Sequence, residues 1–417
     1  MRIGLISSPV PGHINPMSTL GRELKKRGHE IFFFNIEDTR QKIVGEGHQF
    51  IQIGGSDALF PAGSWEKYWA PLSKRRGLSV VLKTIRLHTR LSKMMVHEIP
   101  SLAKNLRIDA LLIDQLQFQG SAIATITNLP FISVACALHM DRDLSFQSPP
   151  PVSQRTYKQG FFNRILNRIE WLILEWAAAP LVKAGDRQCR SADETYSKLA
   201  QIFPMPQEAD FPAEYLSQCI NYVGSFIDFD RPQVEFPYHK LDGRPLVYAS
   251  LGTLQNGALS IYEKISLACA EMDVQLVLGL GNWRIKNEAL PFQVSTNVIV
   301  VDYAPQLELL KKASLVITHA GMNTAFEALS FGVPMVAIPI TNDQPGVARR
   351  LERIGVAEVV PVGELTIDRL RKAVEKVLTD ESYRLNSQRL AAIVKAGGGV
   401  MKAADIVERK FSEHYAK

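Results

Sequence analysis

Along the first half of the chain, short runs of β-branched and aromatic residues alternate with longer stretches whose apolar positions recur every three or four residues. Ile3–Ser7, Glu30–Phe34, Ala110–Asp114 and Phe131–Ala135 read as strands, and Pro16–Arg27 reads as a helix stopped by Gly28. The alternation restarts in the second half with Pro245–Ser250, Val274–Gly279, Asn297–Val301, Leu315–Thr318 and Met335–Pro339. Strands separated by crossover helices predict parallel sheets, so the expected class is α/β with two Rossmann-like domains. Between the two series, Phe226–Gly243 is rich in Pro and charge and carries neither period. The expected organisation is a first domain over 1–227, a linker over 228–243 and a second domain over 244–396, with a helix over 397–417 packing back onto the first domain. Two such sheets facing each other would bring the carboxyl ends of their strands to one cleft, where open α/β sheets bind ligands.

Composition narrows the class without naming the chemistry. With 417 residues, 46% hydrophobic and 22% charged, the chain can fill two cores, and disorder is excluded. No window offers the roughly 18 charge-free apolar residues of a spanning helix. The apolar start, Ile3 to Val10, is cut by Pro9, Pro11 and Gly12 and reads as a first strand, not a signal peptide. Cys136, Cys189, Cys219 and Cys269 have no CxxC spacing, so they predict packing residues in a reducing cytoplasm and no zinc site. The net charge of +6, from 48 basic against 42 acidic residues, is too balanced to imply nucleic acid.

One local concentration of charge changes that picture. Residues 74–97 hold seven Lys or Arg, among them Lys74, Arg75 and Arg76, and no acid. Lys83, Arg86, Arg90, Lys93 and His97 share one helical stripe beside Val80, Leu87, Leu91 and Met94. That pattern predicts either a peripheral contact with an anionic membrane or the solvated outer face of a core-packed helix.

The most informative chemistry lies between Tyr303 and Gln344. A strand ending at Thr318 runs into His319-Ala-Gly321 and then a helix with Asn323, Thr324 and Glu327. Backbone N–H groups at such a helix start form an anion site, Gly321 lets a phosphate approach, and His319 can donate to it. Glu327, one turn beyond Asn323, suits ribose hydroxyls, and Asp343 with Gln344 suits those of a hexose. Taken singly, Glu327 also reads as a solvated helix residue, Asp343-Gln344 as a turn and His319 as a cap; their ordered co-occurrence favours the ligand reading. The lone Gly279-Leu-Gly281 lacks a third Gly, and neither GxxxxGK[ST] nor GxSxG occurs.

On the other side, Pro9-Val-Pro-Gly-His13-Ile-Asn-Pro16 sets a histidine just before the first helix, where an imidazole can take a proton near neutral pH. Asp114 ends the strand Ala110–Asp114, whereas Asp109 opens it at the far edge of the sheet. Read alone, His13 is also a loop histidine, Asp114 an N-cap and His29 an exposed helix-end residue. His139 follows the strand Phe131–Ala135 and reads either as a structural residue or as part of a binding pocket.

The series Tyr303-Ala-Pro-Gln306, His319-Ala-Gly321, Asn323-Thr324, Glu327, Gly332-Val-Pro334 and Asp343-Gln344 resembles the donor signature of the family 1 nucleotide-sugar glycosyltransferases over about forty residues. The resemblance implies the GT-B arrangement, with Tyr303 stacked on the base, Gln306 at the base and ribose, Glu327 on the ribose, and His319, Asn323 and Thr324 on the diphosphate. Asp343 and Gln344 would hold the sugar, and Gly252-Thr253 resembles the family's turn at the phosphates. Tyr303 and Met322 stand where plant members carry Trp. His13, in Gly-His-x-x-Pro, is similar to the family's base, and Asp114 to the aspartate that stabilises its imidazolium.

The implied activity is an inverting transfer of a hexose, glucose from UDP-glucose in the simplest case, with neither metal nor cofactor. The acceptor would be a lipophilic alcohol such as a carotenoid, polyketide or sterol-like molecule, in the style of the bacterial zeaxanthin and macrolide members. Phe161–Trp176, aromatic and apolar, falls where relatives build acceptor pockets, and His139 is a candidate acceptor contact. A cytoplasmic protein with peripheral contact at the inner membrane surface is expected. Two other readings stand beside this one: a sugar-nucleotide epimerase of the same fold, and a non-enzymatic nucleotide-sugar or lipid-binding protein.

Overall fold

The strand runs are buried on both faces, which is why they read as continuous apolar segments and not as alternating ones. The computed structural model describes residues 1–55, 63, 65, 67, 78–139, 146–185, 193–213, 217–229, 231, 234–252, 259–281, 292 and 294–416, with backbone only for 78–85, 185 and 193. The first half carries β1 (Arg2–Ile6), β2 (Glu30–Asn35), β3 (Gln49–Gln52), β4 (Ala110–Asp114), β5 (Phe131–Val134), β6 (Gln201–Phe203) and β7 (Ile220–Tyr222). The second carries β8 (Leu246–Ser250), β9 (Gln275–Gly279), β10 (Val298–Val301), β11 (Ala313–Thr318), β12 (Met335–Ala337) and β13 (Ala357–Val359). Their orders, β3-β2-β1-β4-β5-β6-β7 and β10-β9-β8-β11-β12-β13, repeat one doubly wound plan with every pairing parallel. Each order reverses beside its first strand, so the crevices lie at β1/β4 and β8/β11.

The crossovers of the first half are α1 (Pro11–Lys26), α2 (Arg40–Gly45), α3 (Leu78–Asn105), α4 (Gly120–Thr127) and α5 (Phe161–Gly185). In the second half they are α6 (Leu259–Cys269), α7 (Gln306–Leu310), α8 (Met322–Ser330), α9 (Gln344–Arg353), α10 (Ile367–Thr379), α11 (Glu381–Ala396) and α12 (Gly399–Tyr415).

Helix α1 begins at Pro11, not at the expected Pro16. Proline suits the first helical position, where its missing N–H has no intrahelical partner to lose, so the Pro-Gly stretch does not force a loop. His13 therefore stands in the first turn of α1 and not ahead of the helix.

Helix α12 returns to the first half, where Ala403, Val407 and Phe411 share a core with Leu5, Ile14 and Leu20. Arg27 binds Asp405 and Glu408 at 2.6 and 2.9 Å. His29 is tied to Glu408 at 3.0 Å and is half-buried, not an exposed helix end. A second core runs between the sheets, joining Ala135, Leu138 and Phe203 to Leu307, Met322 and Val347. On α3, Leu87, Leu91 and Met94 are buried while Arg86, Lys93 and His97 are exposed, so the apolar stripe belongs to the core and the basic stripe is its solvent face. Lys74, Arg75 and Arg76 lie outside the described residues, as do the side chains of Val80 and Lys83.

Candidate functional site

The two crevices open on one cavity of about 630 Å³, lined from the first half by Gly12, His13 and Cys136 and from the second by Gly252, Tyr303, His319, Glu327 and Asp343. Asp114 is fully buried at the end of β4, and its Oδ2 lies 2.7 Å from His13 Nδ1. Backbone N–H groups of Ser8 and Leu116 donate to the same side chain at 3.3 and 3.2 Å. With Nδ1–H given to Asp114, the Nε2 of His13 is left as the proton acceptor. Burial alone would lower the His13 pKa, but the charge and hydrogen bond of Asp114, with Asp343 adding, carry it above the ordinary value. Asp109 accepts from Arg2 N–H at 2.7 Å at the opposite edge of the sheet.

Cys136 is more than a packing residue. With His13 and Asp114 it forms a trio of donor atoms within 4.8 Å of one another. Burial, and then the Asp114 charge, hold its thiol protonated well above the usual range, so the three groups satisfy each other as thiol, carboxylate and imidazole.

Across the cavity, β11 passes into α8 through Ala320, whose φ of +62° is a strained conformation for a residue with a Cβ. The His319 imidazole is clasped between Gly252 and Gly321, where any side chain would run into the ring. Burial lowers the His319 pKa to about 4, so the ring is neutral and serves as an N–H donor, not a cation. Thr324 is buried on α8 and lines the same wall.

Asn323 Nδ2 donates to the Gly12 carbonyl at 2.9 Å, linking the start of α8 to the first turn of α1. The Gly12 carbonyl is available because the residue four positions on is Pro16, which has no N–H to close the helical bond.

Tyr303 is half exposed at the rim. Gln306 accepts from Tyr248 Oη at 3.1 Å and donates to Glu327. Glu327 is also paired with Arg231, a linker residue that no local pattern singles out. Phe229, Arg231, Val234 and Tyr238 show that the linker forms part of the cavity wall.

Asp343 Oδ2 accepts from the Leu138 N–H at 3.0 Å, which fixes this carboxylate from the other half of the molecule. Gln344 Oε1 accepts from the Ile340 and Thr341 N–H groups, both at 2.9 Å, which leaves its NH2 to donate. The pair thus offers one acceptor and one donor to a polyhydroxyl ligand. Thr253 lies outside the described residues.

His139 departs from the acceptor-pocket expectation. Its Nε2 is 2.9 Å from Asp210 and its ring stacks on Phe203 at 4.6 Å, because the buried Asp210 carboxylate offers a stronger partner than the cleft. Arg350 of α9 binds the same carboxylate at 2.7 Å, and Tyr222 Oη donates to it at 2.7 Å. His139 is therefore part of a brace between the halves and is not among the cavity-lining residues. The apolar run on α5 is not there either: Phe161, Phe162 and Trp176 face outward.

Comparison with known proteins agrees with this geometry. Residues 66–398 match the family model described as UDP-glucoronosyl and UDP-glucosyl transferase. The zeaxanthin glucosyltransferase of Pantoea ananas is 29% identical, over 97% of this chain and 94% of that protein. The demethyllactenocin mycarosyltransferase of Streptomyces fradiae is 24% identical, over 96% of this chain and 84% of that protein. Among solved structures, the glycosyltransferase of kitacinnamycin superposes with a TM-score of 0.73 at 23% identity, covering 98% of each chain. The glycosyltransferase VinC, solved with dTDP, gives 0.71 at 19% identity over 99% of this chain and 100% of that one. With two parallel sheets meeting at one cleft and the family match running through both, the chain belongs to the UDP-glucoronosyl and UDP-glucosyl transferase family and is a glycosyltransferase of GT-B architecture.

Proposed function

We propose that this glycosyltransferase moves glucose from UDP-glucose to a hydroxyl of a lipophilic small molecule, with inversion and without a metal. The observation that carries the reading is the His13–Asp114 pair opening on the same cavity as the start of α8, with Asn323 bonded to Gly12 between them. The acceptor hydroxyl gives its proton to His13 Nε2 as its oxygen bonds the anomeric carbon, and Asp114 stabilises the imidazolium that forms. On the opposite face the bond from that carbon to the diphosphate oxygen breaks, and its electron pair leaves with UDP. The N–H groups at the start of α8, the neutral His319 N–H and the Asn323 and Thr324 side chains meet that developing charge, so the leaving group needs no metal. Tyr303 stacks on the base, Gln306 holds base and ribose, Glu327 takes the ribose hydroxyls, and Asp343 and Gln344 orient the hexose. Gly252 closes on the phosphates.

A lipophilic acceptor is supported by the zeaxanthin and macrolide-type names of the relatives, and free cysteines such as Cys136 and Cys269 suit a cytoplasmic setting. A peripheral membrane contact belongs to the same reading, as the place where a lipophilic acceptor is dissolved; no helix among the described residues is long and apolar enough to cross a bilayer.

The test is incubation with UDP-glucose and a panel of hydrophobic alcohols, with and without EDTA, followed by mass detection and assignment of the anomeric configuration. A β-linked hexose adduct formed equally in EDTA supports the reading. Epimerised or hydrolysed donor with no adduct overturns it.

A further inference from the structure

We propose that the outer face of α5 is a docking surface for an anionic lipid bilayer, the phase in which a lipophilic acceptor is dissolved; the inference rests on the lipophilic-acceptor reading and names its membrane contact. Phe161, Phe162, Ile169, Leu172, Ile173 and Trp176 all project into solvent, Phe162 and Trp176 with 79% and 78% of their surface exposed. Ile165 and Leu166 complete the set. At 100° per residue these positions fall within one arc of about 140°, and they run about 22 Å along the axis. No acidic residue interrupts the arc: Glu170 and Glu175 fall outside it, and Glu170 pairs with Arg155. The opposite side of α5 is firmly seated, with Trp171 Nε1 bonded to the Ser148 carbonyl and Asn167 to those of Phe146 and Gln147. An apolar strip this large on a well-anchored helix marks an interaction surface, not a packing error.

Charge selects the occupant. Lys158, Arg164 and Arg168 are exposed at the same end of α5, and α3, against which α5 packs, exposes Arg86 and Lys93. Basic residues at one end of an apolar strip that carries aromatic residues at both ends match a surface of anionic headgroups over acyl chains. A second copy paired about a two-fold axis with the α5 helices parallel would bring the same arginines against each other, a repulsion that anionic headgroups do not suffer. The surface also sits well for the chemistry, since α3 separates α5 from the site and brings His88 close enough to feel the charges of His13 and Asp114.

Vesicle sedimentation at low salt tests the assignment, with equimolar phosphatidylcholine and phosphatidylglycerol against phosphatidylcholine alone. The wild-type protein should pellet with the anionic vesicles only. The triple variant Phe162→Gln, Ile169→Gln, Trp176→Gln and the double variant Arg164→Glu, Arg168→Glu should each lose about tenfold or more of that binding, with UDP affinity unchanged. Independently of any multiple variant, wild-type tryptophan emission should shift to the blue on anionic vesicles, and Trp176→Phe should remove the shift. Absence of vesicle binding, equal binding to both compositions, or a dimer in vesicle-free sedimentation that the triple variant dissociates would each overturn the proposal. Transfer to the hydrophobic-alcohol panel is measured in parallel without vesicles: its absence counts against the proposed reaction alone, while the vesicle result decides the surface alone.

Discussion

A base held beside a buried carboxylate is strengthened and constrained by the same contact. Because Asp114 raises the His13 pKa, the acid limb of kcat/KM should fall above the ordinary histidine value, with activity lost as pH drops through it and the base becomes protonated. Asp114→Asn removes the negative charge, so that limb should move to lower pH, and the loss of turnover should be smaller than for His13→Ala. The latter should lower kcat by ~10²–10⁴ with UDP affinity intact. A pH–rate profile of both variants together with UDP calorimetry checks this; an unmoved acid limb in Asp114→Asn would assign it to another group. On the proposed donor side, His319 is neutral and Glu327 is paired with Arg231, one a hydrogen-bond donor and the other an acceptor. His319→Ala and Glu327→Ala should each weaken UDP by ~1–3 kcal/mol, the cost of leaving partners unpaired. UDP binding is also expected to raise the His319 pKa from about 4, because a diphosphate favours the protonated ring, and an imidazole titration by NMR reads this directly.

Helix α1 carries its function through a missing bond. Pro16 leaves the Gly12 carbonyl without an intrahelical donor, and Asn323 supplies one from the facing half. In Pro16→Ala the restored N–H competes with Asn323, so melting temperature should hold or rise while kcat falls several-fold. Asn323→Ala should produce a similar fall, and the two should be strongly non-additive in a double-mutant cycle. Additive losses would mean that the contact does not couple the halves.

The strands of the central sheets were legible to within a residue or two, because burial on both faces writes β2 as Ile-Phe-Phe-Phe and β11 as Leu-Val-Ile. Of the shortest strands β12 was legible inside Met335–Pro339, whereas β3, β6, β7 and β13 were not, since so short a segment carries no period and its pairing is decided by its neighbours. The start of α1 was misplaced because Pro and Gly have the same local signature in a loop as at a helix entry. The residues from Tyr303 to Gln344 that line the cavity were legible as an ordered motif. Arg231, the role of Cys136 and the outward turn of α5 depend on which distant segments meet, which no local pattern records.

At the scale of the whole molecule, α9 joins the cavity wall at Asp343 and Gln344, the proposed sugar end, to the brace between halves. Asp343 and Gln344 stand at its start, a side chain at Gly346 would strike the Pro151 carbonyl, and Arg349 donates to the Gln154 carbonyl at 2.8 Å. Further along, Arg350 binds Asp210 and lies 4.1 Å over the Phe211 ring, and Arg353 reaches the Glu208 carbonyl at 2.7 Å. Burial alone would raise the Asp210 pKa, but the charges of Arg350 and His139 and the hydrogen bonds of His139 and Tyr222 hold it far below the usual carboxylate range. A carboxyl depressed in this way stabilises the fold at every pH above its unfolded value of about 3.9, and that contribution disappears as pH falls from there toward its folded value. Asp210→Asn should therefore flatten the acid side of the stability curve. At neutral pH it should cost about 3–5 kcal/mol, because Arg350 is left buried without its counter-charge. Pairing Asp210→Leu with Arg350→Leu should recover much of that loss, since no orphaned charge remains. Weakening the brace should also loosen α9, raising the KM for the nucleotide sugar while the affinity for UDP, held by α7 and α8, stays near wild type. Denaturant unfolding across pH and a comparison of sugar-nucleotide KM with UDP affinity test the chain of contacts. Equal losses in both affinities would show that the brace supports the whole donor site and not its sugar end.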